Sequence, residues 1–347
     1  MDNPLISVIV PTYNRARMLR GALDTLVCQR TSGGLTYEIV VVDNASADFT
    51  SSVVEEVAAD SAVPVRYAYQ ATPGDGAARN KGVEEARGEW LAFFDDDQFA
   101  APDWLLQLHS ATEQSGAAIV GGAVHLDLDE EELARLGRIC RGVLREVKFH
   151  DRLHPYVGKQ LPGCGNAMVA RAVFEKVGLF ETSLTSGGSD SSFFIRARSA
   201  GFDLMYTPDA VIRHRIPQSR TTVEFFRRDA LASGAQHCAH FDYQDKGLIG
   251  LLPRCVARWG QALLINFPLL LLALIRRDEG EILGRKTLLW KAEGYTRKTL
   301  TVLAPRLFPQ HRFYESLDFR RGRPSEQEAP EPKLPEPDRT EELQVTA

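Results

Sequence analysis

The sequence predicts an α/β protein in which a mostly parallel, mixed sheet is covered by helices on both faces, followed by a helical, partly apolar C-terminal region. In the N-terminal part, short apolar runs rich in Val and Ile alternate with amphipathic helical patterns, which is typical of parallel strands joined by crossover helices. Polar residues follow these runs, and the carboxyl ends of parallel strands meet at one edge of a sheet. The sequence therefore predicts one crevice lined by polar loops.

The first strands are predicted from four short apolar runs, at residues 6–10, 38–42, 65–69 and 90–94. The first run is expected to end at Pro11. Helical patterns separate the runs, at residues 17–27, 49–59 and 77–87. Pro102 is expected to lie in the first turn of a further helix, where proline is tolerated.

The pattern is less regular over residues 126–160, where an acidic stretch opens a predicted helix and basic residues follow. Two interpretations fit this segment: a lid or acceptor-facing insertion, or a solvated helical hairpin. Residues 162–166 form a predicted Gly-rich turn where the backbone can approach a ligand. A last helix is predicted at residues 189–199, with Asp190 in its first turn.

Composition excludes several classes of function. The formal net charge of −5 gives no electrostatic basis for nucleic-acid binding. The five cysteines are odd in number and none are spaced as metal ligands or redox pairs, which fits a reducing compartment without structural zinc. Residues 1–4 lack the basic and apolar regions of a signal peptide, so we expect a cytoplasmic protein.

The most apolar stretch, residues 262–275, is short for a bilayer span, which requires about 20 residues. Asn266 and Pro268 interrupt it, and arginines flank it on both sides, namely Arg254, Arg258, Arg276 and Arg277. This pattern predicts an amphipathic segment, at about residues 254–277, that lies on the anionic inner face of the cell membrane. The alternative is a helix buried within the C-terminal region.

Three regions are predicted along the chain. Residues 1–216 form the α/β domain, and residues 217–320 form the helical region with the membrane-associating segment. Residues 321–347 are an acidic, Pro-rich tail with few apolar residues, which we expect to be disordered.

The acidic triplet of Asp95, Asp96 and Asp97 follows the predicted strand at residues 90–94 directly. Three like charges this close repel one another unless a cation or a set of hydrogen-bond donors holds them. Carboxylates at the end of a strand are suited to Mg²⁺ or Mn²⁺, which commonly accompany a phosphorylated substrate. The alternative, a solvated acidic turn, is disfavoured because polar residues also follow the first two predicted strands.

The chain resembles glycosyltransferase family 2, whose members have the nucleotide-sugar-binding GT-A fold, over residues 5–215. Each motif is weak alone, and their order along the chain carries the resemblance. The motifs are Val8-Ile9-Val10-Pro11-Thr12-Tyr13-Asn14-Arg15, Val41-Val42-Asp43-Asn44-Ala45-Ser46, Gly76-Ala77-Ala78-Arg79-Asn80-Lys81-Gly82, Phe94-Asp95-Asp96-Asp97 and Gly188-Ser189-Asp190.

This resemblance implies roles for residues of the first three motifs in binding a nucleotide-sugar donor. Pro11 and Tyr13 both belong to the implied donor site, and Tyr13 corresponds to the ring that packs on the nucleotide base. Asp43 corresponds to the carboxylate that accepts a hydrogen bond from the base, and Arg79 to a donor that faces the base or the phosphates. A loop aromatic without a ligand and a solvated arginine are the plain alternatives.

For the triplet, the resemblance implies a metal site. Asp97 corresponds to the ligand that joins Mn²⁺ or Mg²⁺ to the donor diphosphate, and Asp96 to the residue that binds the ribose. Asp95 belongs to the same donor site, although the family often has another residue at this position.

Asp190 stands where the family places the general base of an inverting transfer. Many relatives have further acids beside this residue, whereas this chain has Gly and Ser at the surrounding positions 187–192. A helix N-cap is the alternative role for Asp190. His214 either faces the diphosphate and metal or is a structural histidine with its own partners.

The implied activity is transfer of one sugar from a UDP-, GDP- or dTDP-sugar to a glycan or lipid-linked acceptor, in cell-surface polysaccharide biosynthesis. Processive relatives carry several membrane spans and a longer motif, of which this chain keeps only Arg258 and Trp259. One alternative is a sugar nucleotidyltransferase, which needs a Gly-rich phosphate loop after the first strand that residues 11–14 do not supply. The other is a catalytically inactive nucleotide-sugar-binding subunit.

Overall fold

The computed structural model describes residues 4–31, 34–183, 188–238 and 244–308. Within these ranges nine strands form one sheet. The strands are β1 (Ile6–Thr12), β2 (Tyr37–Asp43), β3 (Val65–Tyr69), β4 (Trp90–Phe94), β5 (Gln98–Ala100), β6 (Ile119–Asp127), β7 (His154–Pro155), β8 (Asn166–Ala170) and β9 (Leu204–Arg215). The helices are α1 (Ala16–Leu26), α2 (Thr50–Asp60), α3 (Asp75–Glu85), α4 (Trp104–Ser115), α5 (Glu130–Val143), α6 (Arg171–Val177), α7 (Ser189–Ser199), α8 (Val223–Gln236), α9 (Gln244–Gln261), α10 (Phe267–Arg276) and α11 (Glu279–Leu303).

The strand order is β3-β2-β1-β4-β8-β6-β9-β5, and β7 pairs with β9. Strands β3, β2, β1 and β4 are parallel, and so are β6 and β9. Strand β8 runs antiparallel between β4 and β6. The predicted mostly parallel, mixed sheet is therefore confirmed.

Two hydrophobic cores cover the two faces of the sheet. Val8 and Val10 of β1 pack with helices α1, α2 and α4, whereas Ile9 packs with α3, α6 and α7. Every residue of β2 is buried, which accounts for its continuous apolar run, because a strand covered on both faces has no solvent-facing positions.

Strand β1 does not end at Pro11, as the sequence suggested, but continues to Thr12. Pairing with β4 stops at the Ile9–Phe93 pair, while pairing with β2 continues through Pro11 and Thr12. Pro11 thus lies where one side of β1 has no strand partner, which is a position where a strand tolerates proline. In a similar way, Pro102 precedes α4, whose N-cap is Asp103, rather than lying in its first turn.

The irregular segment after β6 is not a solvated helical hairpin, so that interpretation was wrong, whereas the lid or acceptor-facing insertion stays a prediction. Helix α5 buries Leu136 and Cys140 in a small core with the C-terminal helices. Its backbone breaks at Gly137, where φ is 61° and the chain passes close to Gly280 of α11. Burying the apolar face of an amphipathic helix against a neighbouring apolar surface stabilises the fold. This burial decides where α5 packs.

The region after β9 is helical, as predicted, and includes a π-helical turn at Ala262–Asn266 between α9 and α10. Helix α8 packs along α11. Residues Gly250–Arg276 form a helical stretch long and apolar enough to cross a membrane. Only 22% of its most apolar 18-residue part is buried. Leu264 and Ile275 are each 80% exposed, so the alternative of a helix buried within the chain was wrong. The predicted disordered tail lies outside the described residues.

Candidate active site

The loops that follow β1, β2 and β4 meet at a cleft of about 140 Å³ at the carboxyl edge of the sheet. This is the convergence that the sequence predicted. The residues that line the cleft are Pro11, Thr12, Tyr13, Arg15, Asn44, Asp75, Ala78, Arg79, Asp95, Asp96 and Asp97. Tyr13, one of these lining residues, keeps 36% of its surface exposed.

Asp96 is the most enclosed carboxylate of the triplet, with a side chain only 6% exposed. Thr12 donates a hydrogen bond of 2.8 Å to its Oδ2, and Arg15 donates one of 2.7 Å to its Oδ1. Burial and the Asp97 charge raise the pKa of Asp96 above its ordinary value, although Arg15 opposes the shift. Asp96 therefore joins the triplet, by hydrogen bonds, to the end of β1 and the loop that follows it.

Asp97 is held from two sides. Arg15 Nη1 lies 2.9 Å from Asp97 Oδ2, and His214 Nε2 lies 3.6 Å from Asp97 Oδ1. Burial favours the neutral acid, but the charges of Arg15 and His214 hold the pKa of Asp97 well below its usual range. Since His214 Nδ1 lies 3.1 Å from the carbonyl oxygen of Leu144, which can only accept, that nitrogen carries a proton.

His214 has the protein partners of a structural histidine, and a contact with the diphosphate or metal stays a prediction. It is buried with a partner for each ring nitrogen, and one of those partners is the carboxylate expected to bind the metal. Burial alone would lower the pKa of His214, but Asp97 raises it. Strand β9 places this residue beside the triplet, because His214 is paired with Leu126 of β6 on one side and with Gln98 of β5, the residue after Asp97, on the other.

Asp95 is the most exposed member of the triplet, at 38% of its side chain. Loss of surrounding water, together with the charges of Asp97 and Asp96, raises its pKa to about 6. Arg79 Nη2 lies 3.9 Å away and opposes this shift. A Cβ at Gly165 would come within 2.7 Å of Asp95 Oδ2, so this glycine makes room for the carboxylate.

Arg79 links the triplet to α7. Its Nη1 donates a hydrogen bond of 3.1 Å to Ser189 Oγ, while its Nη2 faces Asp95. Burial would lower its pKa, yet the net shift is upward and the Asp95 and Asp190 carboxylates contribute to it. The Nε of Arg79 is buried without a hydrogen-bond partner among the described residues, which is a costly arrangement unless a ligand accepts from it.

Asp43 is buried beneath the cleft rather than among the residues that line it. Tyr67 donates a 2.7 Å hydrogen bond to its Oδ2, and the Ser46 backbone N–H donates one of 2.8 Å to its Oδ1. The neighbouring Asn44 lines the cleft instead and organises the next loop through bonds to the carbonyl oxygens of Gln70 and Thr72.

Asp190 lies in the first turn of α7, as predicted, and is not the helix N-cap. The N-cap residue is Gly188, which makes no side-chain capping bond. Asp190 Oδ1 accepts a 2.7 Å hydrogen bond from the Ser191 N–H. The Arg79–Ser189 hydrogen bond holds this turn beside the cleft.

Sequence reasoning assigned no role to Thr12, Arg15 or Asn44. Arg15 stood in the first motif, and a guanidinium one loop away from three carboxylates was the available signal. The direction in which each carboxylate points could not be inferred, because it depends on how β1 and β4 are paired.

The donor atoms at this cleft suit a divalent cation that also binds a phosphorylated ligand. Asp95 and Asp97 supply carboxylate oxygens at the cleft, and His214 lies behind them as a partner of Asp97. Over the described part of the chain, no three His, Cys, Asp or Glu side chains form a complete metal cage. A cation here would thus need further ligand oxygens from its substrate, as is usual for Mg²⁺ in phosphate sites.

The sheet and cleft define an α/β protein with a polar cleft at the carboxyl ends of its strands, which is where proteins of this class commonly bind ligands. The family model for glycosyl transferase family 2 matches residues 7–178, and the chain belongs to that family. It is therefore a glycosyltransferase. Among curated relatives, glycosyltransferase AglE of Haloferax volcanii is 30% identical over 61% of this chain and 67% of its own. Succinoglycan biosynthesis protein ExoM of Rhizobium meliloti is 27% identical over 67% of this chain and 74% of its own.

Among solved structures, a mannosyltransferase from Pyrobaculum calidifontis in complex with GDP-Man and Mn²⁺ is similar, with a TM-score of 0.57 and 20% identity. The match covers 85% of this chain and 88% of the other. The predicted GT-A type of fold is thus confirmed.

Proposed function

We propose that the protein transfers one sugar from a nucleoside-diphosphate donor to an acceptor hydroxyl, with inversion at the anomeric carbon. The observation that carries this proposal is the single cleft in which Tyr13, Arg79 and the Asp95–Asp97 triplet meet. An aromatic face, a guanidinium and carboxylates are the groups needed to bind a base, a diphosphate and a cation.

For the donor, the exposed ring of Tyr13 stacks on the base, with Pro11 lining the same part of the cleft. Asp43, held by Tyr67 and the Ser46 N–H, is proposed to accept a hydrogen bond from the base. Arg79 donates to the diphosphate from its unpartnered Nε. Asp95 is better placed for the ribose than Asp96, because both Asp96 oxygens already accept from Thr12 or Arg15.

Asp97, with His214 beside it, is the residue proposed to hold Mn²⁺ or Mg²⁺. When bound, the cation would neutralise the charge of the departing nucleoside diphosphate. The structural relative solved with GDP-Man and Mn²⁺ supports this assignment for the fold, and the proposed donor is a UDP-, GDP- or dTDP-sugar.

Asp190 is proposed as the general base. It removes the proton from the acceptor hydroxyl as that oxygen attacks the anomeric carbon from the face opposite the leaving group. The bond between Arg79 and Ser189 keeps the turn that carries Asp190 beside the donor site. One base and one displacement give an inverted product.

The acceptor is proposed to be a glycan or lipid-linked saccharide in cell-surface polysaccharide synthesis, since one relative is a succinoglycan biosynthesis protein. The exposed apolar residues of 250–276 and their flanking arginines support peripheral association with the inner face of the cell membrane. The nucleotidyltransferase alternative gains no support, because β1 leads directly through residues 13–15 into α1 without a Gly-rich loop.

A donor assay tests the proposal. The wild type should hydrolyse or transfer from at least one UDP-, GDP- or dTDP-sugar in Mn²⁺, and a chelator should abolish the reaction. Asp97→Asn should lose donor affinity in Mn²⁺, whereas Asp24→Asn, an exposed carboxylate on α1, should not. Activity that persists in the chelator would exclude the metal role, and complete inactivity with every donor would favour the inactive binding subunit.

A further inference from the structure

The loops that follow β1 and β2 are joined to each other beside the cleft. The Asn14 N–H donates a hydrogen bond of 2.8 Å to Ser46 Oγ. In the opposite direction, Asn14 Oδ1 accepts a hydrogen bond of 2.7 Å from the Ala47 N–H. At the start of α1, the Ala16 N–H donates a hydrogen bond of 3.0 Å to Asp48 Oδ2. Three hydrogen bonds thus connect two loops that α1 and β2 separate along the chain.

The backbone at this junction has an unusual conformation in both loops. Asn14 has a φ of 49°, and Ala45, directly before Ser46, has a φ of 64°. They are two of the four non-glycine residues with a positive φ in the part of the chain that the structure describes. Asparagine tolerates this region better than alanine does. Such conformations cluster at functional sites and persist only where the surrounding contacts hold them, so the hydrogen bonds between the loops keep both in one arrangement.

The junction also holds the carboxylate that is proposed to recognise the donor base. The Ser46 N–H donates a hydrogen bond of 2.8 Å to Asp43 Oδ1, while the Ser46 hydroxyl oxygen accepts from Asn14. Asp43 Oδ2 accepts a hydrogen bond of 2.7 Å from the Tyr67 hydroxyl on β3. Ser46 therefore connects the orientation of the Asp43 carboxylate to the loop after β1.

On its other side, the junction determines where the Tyr13 ring lies. Tyr13 directly precedes Asn14 and keeps 36% of its surface exposed, so its position depends strongly on the backbone of its loop. A ring and a carboxylate bind the same base together only when the distance between them is right. Fixing that distance before binding reduces the entropy lost when the ligand binds.

We propose that Asn14 and Ser46 are positioning residues for the donor base, because their hydrogen bond fixes the Tyr13 ring and the Asp43 carboxylate relative to each other. Neither Asn14 nor Ser46 needs to touch the donor. The proposal rests on the proposed function for the roles of Tyr13 and Asp43, while the junction itself rests on the hydrogen bonds between the two loops.

Calorimetric titration of the full chain in Mn²⁺ tests this proposal with two kinds of probe. UDP, GDP and dTDP carry a base, whereas pyrophosphate does not. Ser46→Ala and Asn14→Gly should each weaken the nucleoside diphosphate that the wild type binds by about fivefold, as expected when a neutral hydrogen bond is lost. Glycine tolerates the positive φ at residue 14, so this variant loses the side-chain bond without backbone strain. The affinity for pyrophosphate should not change, because pyrophosphate has no base to be positioned.

Three further variants separate positioning from a general effect on the fold. Asn14→Asp keeps an oxygen acceptor for the Ala47 N–H and should bind the nucleoside diphosphate as the wild type does. Ser61→Ala is the matched control, because Ser61 Oγ also accepts from a backbone N–H, that of Val63, in the loop between α2 and β3. It should have no effect on either probe. In a Tyr13→Ala background, Ser46→Ala should have a smaller effect than in the wild type, since the ring that it positions is gone.

Wild-type nucleotide affinity in both Ser46→Ala and Asn14→Gly would overturn the proposal and leave the proposed function standing. An equal loss of pyrophosphate affinity would also overturn it, because the junction would then act through the metal site or the whole fold. If the wild type bound pyrophosphate but none of the three nucleoside diphosphates, the donor site of the proposed function would be wrong, and this proposal with it.

Discussion

The sheet domain and the C-terminal helices differ in how they use buried polar groups and exposed apolar ones. In the sheet domain both faces are covered, and buried charges such as Arg15 and Asp96 are paired at the cleft. In the helical region α11 packs closely on α8 and α5, while α9 and α10 leave large apolar side chains exposed. The sheet domain thus holds its buried charged groups in pairs at the cleft, whereas the helical region exposes an apolar surface.

This difference is the basis of our proposal that the two regions face different environments. Charged side chains that are removed from water are stable only when partners of opposite charge or hydrogen-bond donors are fixed beside them. The same fixed partners can hold side chains of an active site in place. Exposed apolar side chains in a contiguous segment are unusual on a soluble surface and mark contact with a membrane or another molecule. Four changes test this division, in order of expected effect.

The largest effect is expected for Asp190→Asn in the sheet domain. Turnover should fall by about 10²–10⁴-fold, the usual contribution of a general base, with little change in donor affinity. Transfer rates and calorimetric donor binding measure the two quantities, with the exposed Asp203→Asn as the control. Near-normal turnover, or a product that retains the anomeric configuration, would contradict the assignment.

The next effect concerns the helical region. Leu264→Glu combined with Ile275→Glu should reduce binding to phosphatidylglycerol vesicles by about a hundredfold, since each buried apolar side chain contributes about 1.5–3 kcal/mol. Vesicle sedimentation measures this. Val157→Glu, at an exposed apolar residue of the sheet domain, is the control and should bind as the wild type does. If the control lost as much affinity, the two regions would not differ in this respect.

A third change tests the close packing of α8 on α11. A Cβ at Gly294 would clash with the Leu231 carbonyl group of α8, and a helix backbone cannot move aside easily. Gly294→Ala should therefore lower the free energy of unfolding by about 2 kcal/mol, as overpacking does. Gly142→Ala, in α5 with open space around it, should be neutral or slightly stabilising in the same denaturation experiment.

The smallest effect is a pH dependence from the sheet domain. Glu38 is buried, and although burial favours its neutral form, hydrogen bonds from Arg66, Ser7 and the Arg87 N–H lower its pKa. The ionised form therefore stabilises the fold at neutral pH, by about 1.5 kcal/mol, the lower end of the range for hydrogen bonds to a charged group.

This contribution is fully present above the pKa of an unfolded Glu, about 4.3, and is lost as the pH falls through the lower folded value. Unfolding of the wild type and Glu38→Gln, followed from neutral to acidic pH, should show a difference that shrinks on acidification. The exposed Glu56→Gln should show no such trend. A constant difference for Glu38→Gln would mean that its charge is not involved.

Much of the sheet could be predicted because each early strand has a continuous apolar run and each connecting helix an amphipathic pattern. Residues 65–69 and 90–94 were predicted with the bounds of β3 and β4. Segments whose burial depends on distant partners could not be predicted. Helix α5 is polar at its start, and only the apolar surface offered by α11 decides which of its faces is buried.

The sequence by itself determined the family, the gathering of polar loops at one edge of the sheet, and the position of Asp190 in the first turn of α7, because these depend on local patterns and their order. Only the tertiary structure decided that Asp96 points inward to Thr12 and Arg15, and that His214 reaches Asp97. Side-chain direction at the cleft depends on strand pairing over long sequence separations, and no local pattern records that pairing.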